Sequence, residues 1–182
     1  VASSMHNNIY RVLVSNPVCT TQTISSQAVL TVYDLPTVTL NAAPFTRLFP
    51  GLSTTITATT SPSSGLDLTW YRDNVVLPGV TGNSYQVNVN GIGDYKVSVE
   101  EANGCVNESL TLTIGDSAST TLFIYPSPND GRFTIAYFNS GGNTVRNVVV
   151  YDARGARVFR QTYPVSQAYQ LLSVDMRNAA SG

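Results

Sequence analysis

Few of the 182 side chains are equipped for chemistry. His6 is the only histidine and stands beside Asn7 and Asn8. A triad or a metal centre would need partners that no periodicity in the chain supplies, so His6 reads as a loop residue. Glu100 and Glu101 are adjacent carboxylates. Successive strand residues point to opposite faces, so the two cannot flank one scissile bond. Asn129-Asp130-Gly131 lacks the alternating ligand ladder of a calcium loop and reads as a plain turn. Tyr71, Tyr85 and Tyr95 could build a sugar-stacking platform, yet alternation sends Tyr85 and Tyr95 into a core. Cys19 and Cys105 are the two cysteines; Cys105 reads as a free, non-catalytic thiol in a loop. We therefore expect no catalytic residue, no cofactor, no metal site and no enzyme within these residues.

The elements that carry these residues are strands. Thr, Val and Tyr favour half-buried pleated surfaces, while Asn, Gly and Pro supply turns, and all are abundant. Hydrophobic content of 42% is too high for intrinsic disorder. No apolar run reaches the roughly 18 residues of a membrane helix, and no long stretch keeps a helical period. A net charge of −1 argues against a nucleic-acid partner. The expected class is all-β.

An internal repeat organises the first two thirds. Asn8-Ile9-Tyr10-Arg11-Val12-Leu13-Val14 parallels Gly93-Asp94-Tyr95-Lys96-Val97-Ser98-Val99. Each copy continues with a turn, a lone cysteine, a polar stretch and a second alternating strand, Ala28 to Val32 and Leu110 to Ile114. The offset is about 85 residues. Residues 1–34 thus read as the last hairpin of one domain, truncated in this chain, and 35–116 as a complete copy. Equivalent positions in successive domains lie a domain length apart, so Cys19 and Cys105 should not pair with each other. Within 35–116, Ile56 and Ala58 share a face, as do Leu66, Leu68 and Trp70, and again Tyr85, Val87 and Val89. Trp70 resembles the buried tryptophan of immunoglobulin-like domains, and Tyr95 after Gly91-Ile92-Gly93-Asp94 resembles their tyrosine corner. The resemblance implies tandem immunoglobulin-like antiparallel β-sandwiches, here without an inter-sheet disulfide because 35–104 holds no cysteine.

At Gly115-Asp116-Ser117-Ala118-Ser119-Thr120 the chain turns small and polar, which predicts an exposed, mobile linker open to cleavage. The charge balance changes there. Residues 1–116 carry four basic and eight acidic side chains, whereas 117–182 carry six arginines and three aspartates. Arginine's planar fork suits acidic partners and head groups, though a solvated face explains it as well. Beyond the linker, Leu122 to Tyr125 predicts a strand and Pro126 to Gly131 a turn. Arg132 to Ile135 follows as a second strand. Val145 to Tyr151 and Ala156 to Gln161 predict a hairpin closed by Asp152-Ala153-Arg154-Gly155, with Gly155 in a left-handed position. Tyr169 to Asp175 predicts a further strand.

From 121 on, the chain resembles the type A C-terminal sorting domain of the type IX secretion system of Bacteroidota. The resemblance rests on Tyr125-Pro126-Ser127-Pro128 with Gly131, on Val150-Tyr151-Asp152-Ala153-Arg154-Gly155-Ala156-Arg157-Val158, and on Val174-Asp175-Met176 leading to Ala180-Ser181-Gly182. Ser127 departs from the family's usual Asn. The resemblance implies a seven-stranded sandwich, lacking its last strand in this chain, whose motif residues are Tyr125, Pro126, Pro128, Gly131, Tyr151, Asp152, Gly155, Val158 and Gly182. It implies recognition by an outer-membrane translocon and its shuttle barrel. It further implies removal by a cell-surface sortase within the preceding linker and attachment of the cargo to anionic lipopolysaccharide. Localisation would be the cell surface or the extracellular space. Asp116-Ser117-Ala118 also fits a short O-glycosylation pattern. Two functional readings follow. One is a non-catalytic surface protein with a stalk and a sorting domain, of the kind found in adhesins. The other is a carbohydrate-binding or adhesive module in which 35–116 holds the ligand, and a cluster of exposed aromatics on one sheet of that domain would distinguish it.

Overall fold

The computed structural model describes residues 3–178, with the side chains of Asn16, Cys19, Thr20 and Thr21 outside that description. Among the described residues there are strands and two short 3-10 turns but no α-helix. The chain is all-β, as its composition predicts.

Residues 3–34 form two small antiparallel pairings. β1 (Ile9–Tyr10) pairs with β4 (Ala28–Val29), and β2 (Leu13–Asn16) pairs with β3 (Cys19–Ile24). The expected strand from Tyr10 to Val14 is broken at Arg11-Val12. There the Val12 amide donates to Ser25 Oγ at 2.9 Å instead of to a strand carbonyl.

The next segment holds β5 (Thr37–Ala43), β6 (Arg47–Leu48), β7 (Ser53–Ser61), β8 (Leu66–Arg72), β9 (Val75–Val76), β10 (Ser84–Asn88), β11 (Gly93–Glu101), β12 (Val106–Glu108) and β13 (Leu112–Asp116). One sheet runs β10-β7-β5 and the other β6-β13-β11-β8-β9, with β12 also on β11. Every pairing is antiparallel except β13 with β6, which is parallel. The inward faces are those the alternation predicts. Ile56, Ala58, Trp70, Val87, Tyr95, Val97 and Val99 are all buried in one core. Trp70 Nε1 donates to the Gly82 carbonyl at 2.9 Å, and the Tyr95 hydroxyl donates to the Gly91 carbonyl, so both large aromatics bury their rings without orphaning a polar atom. The β8–β9 turn places Asp73 and Asn74 at φ 52 and 64, the left-handed pair that a two-residue hairpin loop requires. This is an immunoglobulin-like sandwich with its tyrosine corner formed.

The strand register makes the repeat explicit. Adding 85 to the first partner and 84 to the second converts Tyr10↔Ala28 into Tyr95↔Leu112, Leu13↔Ile24 into Ser98↔Glu108, and Val14↔Thr23 into Val99↔Asn107. The same shift carries the bond from Val12 N to Ser25 Oγ onto that from Val97 N to Ser109 Oγ, 3.0 Å. In both copies the serine amide also donates back, Ser25 to the Val12 carbonyl and Ser109 to that of Val97, each at 2.9 Å. The copies differ in burial. Tyr95, Val97 and Val99 are fully buried, while Tyr10, Val12 and Val14 are 45%, 63% and 62% exposed. No second sheet covers the first copy among the described residues.

The last segment contains β14 (Phe123–Tyr125), β15 (Arg132–Ala136), β16 (Thr144–Tyr151), β17 (Arg157–Val165) and β18 (Leu172–Asp175). They form a β14-β15-β18 sheet and a β16-β17 hairpin. A small core of Ile135, Val165, Leu172 and Val174 lies between them, flanked by Phe133, Val148, Phe159 and Tyr163. The described residues here supply five of the seven strands that the family resemblance implies. The expected strand from Tyr169 to Asp175 begins only at Leu172, because Tyr169 is buried in a packed joint with the upstream domain.

Candidate functional site

The residues that carry the motif sit on two turns. β14 leads into the turn 126–131. Asn129 Oδ1 accepts from the Gly131 amide at 3.0 Å and Asp130 Oδ1 from the Arg132 amide at 3.2 Å, so the turn is held by its own short side chains. Gly131 has φ +94, and a Cβ there would stand 3.3 Å from the Arg177 backbone nitrogen. Its carbonyl accepts from the Met176 amide at 2.7 Å, which ties this turn to the end of β18. Only glycine meets both demands.

The second turn closes β16 and β17. Asp152 Oδ1 accepts from the amides of Arg154 and Ala156 at 2.9 and 2.8 Å. The Asp152 amide donates to the Ala156 carbonyl at 2.9 Å. Gly155 takes φ +82 with open space around it. The register slips between Val150 and Tyr151, whose partners are Phe159 and Arg157, leaving Val158 as the extra residue of a bulge. Asp and Gly are therefore the structural requirements of this turn, and Tyr151 beside them is 61% exposed. β14 and β18 lie on either side of β15 and run parallel to each other, and Tyr125 at the end of β14 lines a cavity with Pro50, Gly51 and Asn88 of the upstream domain. Tyr125, Pro126, Pro128, Gly131, Tyr151, Asp152, Gly155 and Val158 fall on or beside these turns. Gly182 lies outside the described residues.

Near the first turn Asp175 gathers cations. Arg177 donates to it from Nε and Nη2 at 3.0 and 2.9 Å, and Arg132 donates from Nε at 3.0 Å. These bonds, that of Arg177 foremost, hold the Asp175 carboxyl well below the usual carboxylate range. Asp175 appears in the sequence only as part of the approach to Gly182. Its partnership with two arginines is set by the pairing Arg132↔Asp175.

The linker differs from its expectation. Gly115 and Asp116 are not free but belong to β13, paired with Arg47 and Leu48 of β6. The Ser117 amide donates to the Leu48 carbonyl at 2.8 Å, and its carbonyl accepts the Tyr169 hydroxyl at 2.7 Å. Ser119 is half-buried, and its Oγ accepts from the Thr121 amide at 3.1 Å; Ala118 and Thr120 are exposed. Two-residue β6 is too short to leave a pattern in the sequence, which is why polar composition alone suggested a mobile segment.

Residues weighed for chemistry remain dispersed. His6 is exposed, and its Nδ1 accepts from the Val32 amide at 3.1 Å. Glu100 and Glu101 lie on opposite faces of β11, and Cys105 is a free thiol. The aromatics of 35–116 form no platform: Phe45 alone among its described aromatics is exposed, while Trp70 and Tyr95 are buried and Tyr71 and Tyr85 half-buried. Thr39, Thr55, Thr57, Thr59, Ser84 and Gln86 face outward from the β10-β7-β5 sheet instead.

Comparison with known families gives one result. Residues 123–182, the last third of the chain, match the secretion system C-terminal sorting domain. No curated protein matches the chain.

Proposed function

Residues 123–182 belong to the type IX secretion system C-terminal sorting domain family, and from that premise we propose that the two ordered motif turns are the surface read during export. A domain of this family marks a protein delivered across the outer membrane to the cell surface or extracellular space, and it implies interaction with the type IX machinery. In this reading residues 1–34 are the closing strands of one immunoglobulin-like domain and 35–116 a second, together a non-catalytic stalk. The translocon and shuttle barrel bind the sorting domain, a sortase cuts the segment after β13, and the stalk end is joined to anionic lipopolysaccharide. The observation that carries the reading is that the family match spans two turns whose glycines, Gly131 and Gly155, both sit at positive φ.

A matched pair of substitutions tests it. Gly155 and Gly79 have φ +82 and +79, and neither has an atom within 4 Å of a built Cβ. Valine at either position meets the same left-handed strain, about 1–2 kcal/mol, and no clash. In a host with type IX machinery, Gly155→Val should lower the ratio of surface to periplasmic protein several-fold, while Gly79→Val leaves it near wild type. Equal ratios for the two variants would overturn the assignment of the signal to these turns.

A further inference from the structure

The segment between the two domains is anchored at both ends by the sorting domain itself. At its start the Tyr169 hydroxyl donates to the Ser117 carbonyl at 2.7 Å. At its end Phe123 opens β14 and stacks on Phe49 of the upstream domain, with ring centroids 5.9 Å apart and planes at 26°. Tyr169 joins the two anchors. Its ring meets Phe123 edge-on at 6.1 Å and Phe138 at 5.6 Å, and only 6% of the residue is exposed. The upstream domain contributes its own ties. The Gly115 amide donates to the Thr46 carbonyl at 2.9 Å, Ser117 to Leu48 at 2.8 Å, and Arg47 Nη1 to the Asp116 carbonyl at 3.2 Å.

A protease must draw several residues of extended backbone into its cleft, which a short span fixed at both ends cannot supply. We infer that the aromatic joint of Phe49, Phe123, Tyr169 and Phe138 is an autoinhibitory contact that keeps 117–122 uncut until the sorting domain is drawn off the stalk. The role of this protection in export rests on the reading above, but the protection itself is a property of the chain alone.

The test therefore uses the purified chain and a broad-specificity protease, with cut sites mapped by mass spectrometry. The reference is a free peptide spanning residues 115–123. Two variants open the joint from opposite sides. Tyr169→Phe keeps the ring and removes the hydroxyl bond, and Phe49→Ala removes the stacking partner from the upstream domain without entering its core cluster. Cutting within 117–122 should be much slower in the chain than in the peptide. It should accelerate about five-fold in Tyr169→Phe, the factor one neutral hydrogen bond is worth, and at least as much in Phe49→Ala. Cutting elsewhere should not change. Because the variants lie in different domains, unfolding of one domain by its own variant leaves the other variant to decide. Chain and peptide cut equally fast, or variants cut no faster than wild type, would sink the autoinhibition. Loss of protection with normal export would leave the sorting assignment standing, and the converse holds equally.

Discussion

Asp175 accepts three side-chain hydrogen bonds from two arginines and a fourth from the Arg177 amide at 3.2 Å, and the consequence is a pH dependence with a definite sign. The bonds exist only to the carboxylate, so folding lowers its pKa below the ordinary 3.8. A group depressed in the folded state contributes stability that is present above its unfolded pKa and is lost as pH falls through the folded one. The side chain is 46% exposed, so the effect is screened. We expect Asp175→Asn to lower the unfolding midpoint of the sorting domain by an amount that stays constant from neutral pH down to about pH 4. Below that the difference should shrink toward zero. Midpoints by far-UV circular dichroism across pH 2 to 7 check this, and a difference that persists unchanged at the acid end would contradict it.

At the scale of elements, the paired serines show what side-chain chemistry adds to a strand ladder. β12 and β13 lie on the same edge of β11, one after the other, and the chain bulges between them at Ser109, Leu110 and Thr111. Leu110 is thrown out to 90% exposure, and Ser109 Oγ supplies the acceptor that the displaced backbone withholds from Val97. Ser109 is buried and Ser25 is exposed. Ser109→Ala should therefore orphan a buried amide and cost about 1–3 kcal/mol. Ser25→Ala leaves an amide that water can reach and should cost within about 0.5 kcal/mol. Denaturant titration, with hydrogen exchange at Val97 and Val12, measures both; equal costs would mean the hydroxyl is not what holds the bulge.

These elements also mark how far the residues alone could be read. Alternation located Trp70, Val87, Val97 and the corner tyrosine, because a period of two states which face must be covered. It cannot state whether anything covers it, and Tyr10, Val12 and Val14 carry the pattern of a core while standing in solvent. Ser109 follows a polar strand and has no periodic mark of its own; the aligned Ser25 is the signal the sequence holds for it. The motif turns were legible for a stronger reason: Asp152 and Gly155 act through their own backbone neighbours. Tyr169 carries a strand-like pattern but lies outside β18, because its place is set by Phe123, Phe138 and Ser117 from other parts of the chain.

At the scale of the whole molecule, the described residues hold two buried clusters of unequal size, one on each side of the joint. The upstream cluster holds ten buried residues including Trp70 and Tyr95, and the sorting cluster holds four, all aliphatic. At about 1.5–3 kcal/mol for each buried large apolar side chain, the sorting domain is much the weaker. The Phe49–Phe123 stack adds only about 0.5–1.5 kcal/mol beyond its area, too little to merge the two transitions. Trp70 is the only tryptophan, so its fluorescence reports the upstream sandwich alone, while circular dichroism reports every strand. Heating should give two steps by circular dichroism, with Trp70 fluorescence changing only in the second. Phe49→Ala should lower the first midpoint by several degrees, as about 1 kcal/mol does for a domain of this size, and leave the second in place. One coincident transition by both probes would mean that the joint couples the domains more strongly than its contacts can explain. It would also mean that the sorting domain cannot be drawn off without unfolding the upstream domain.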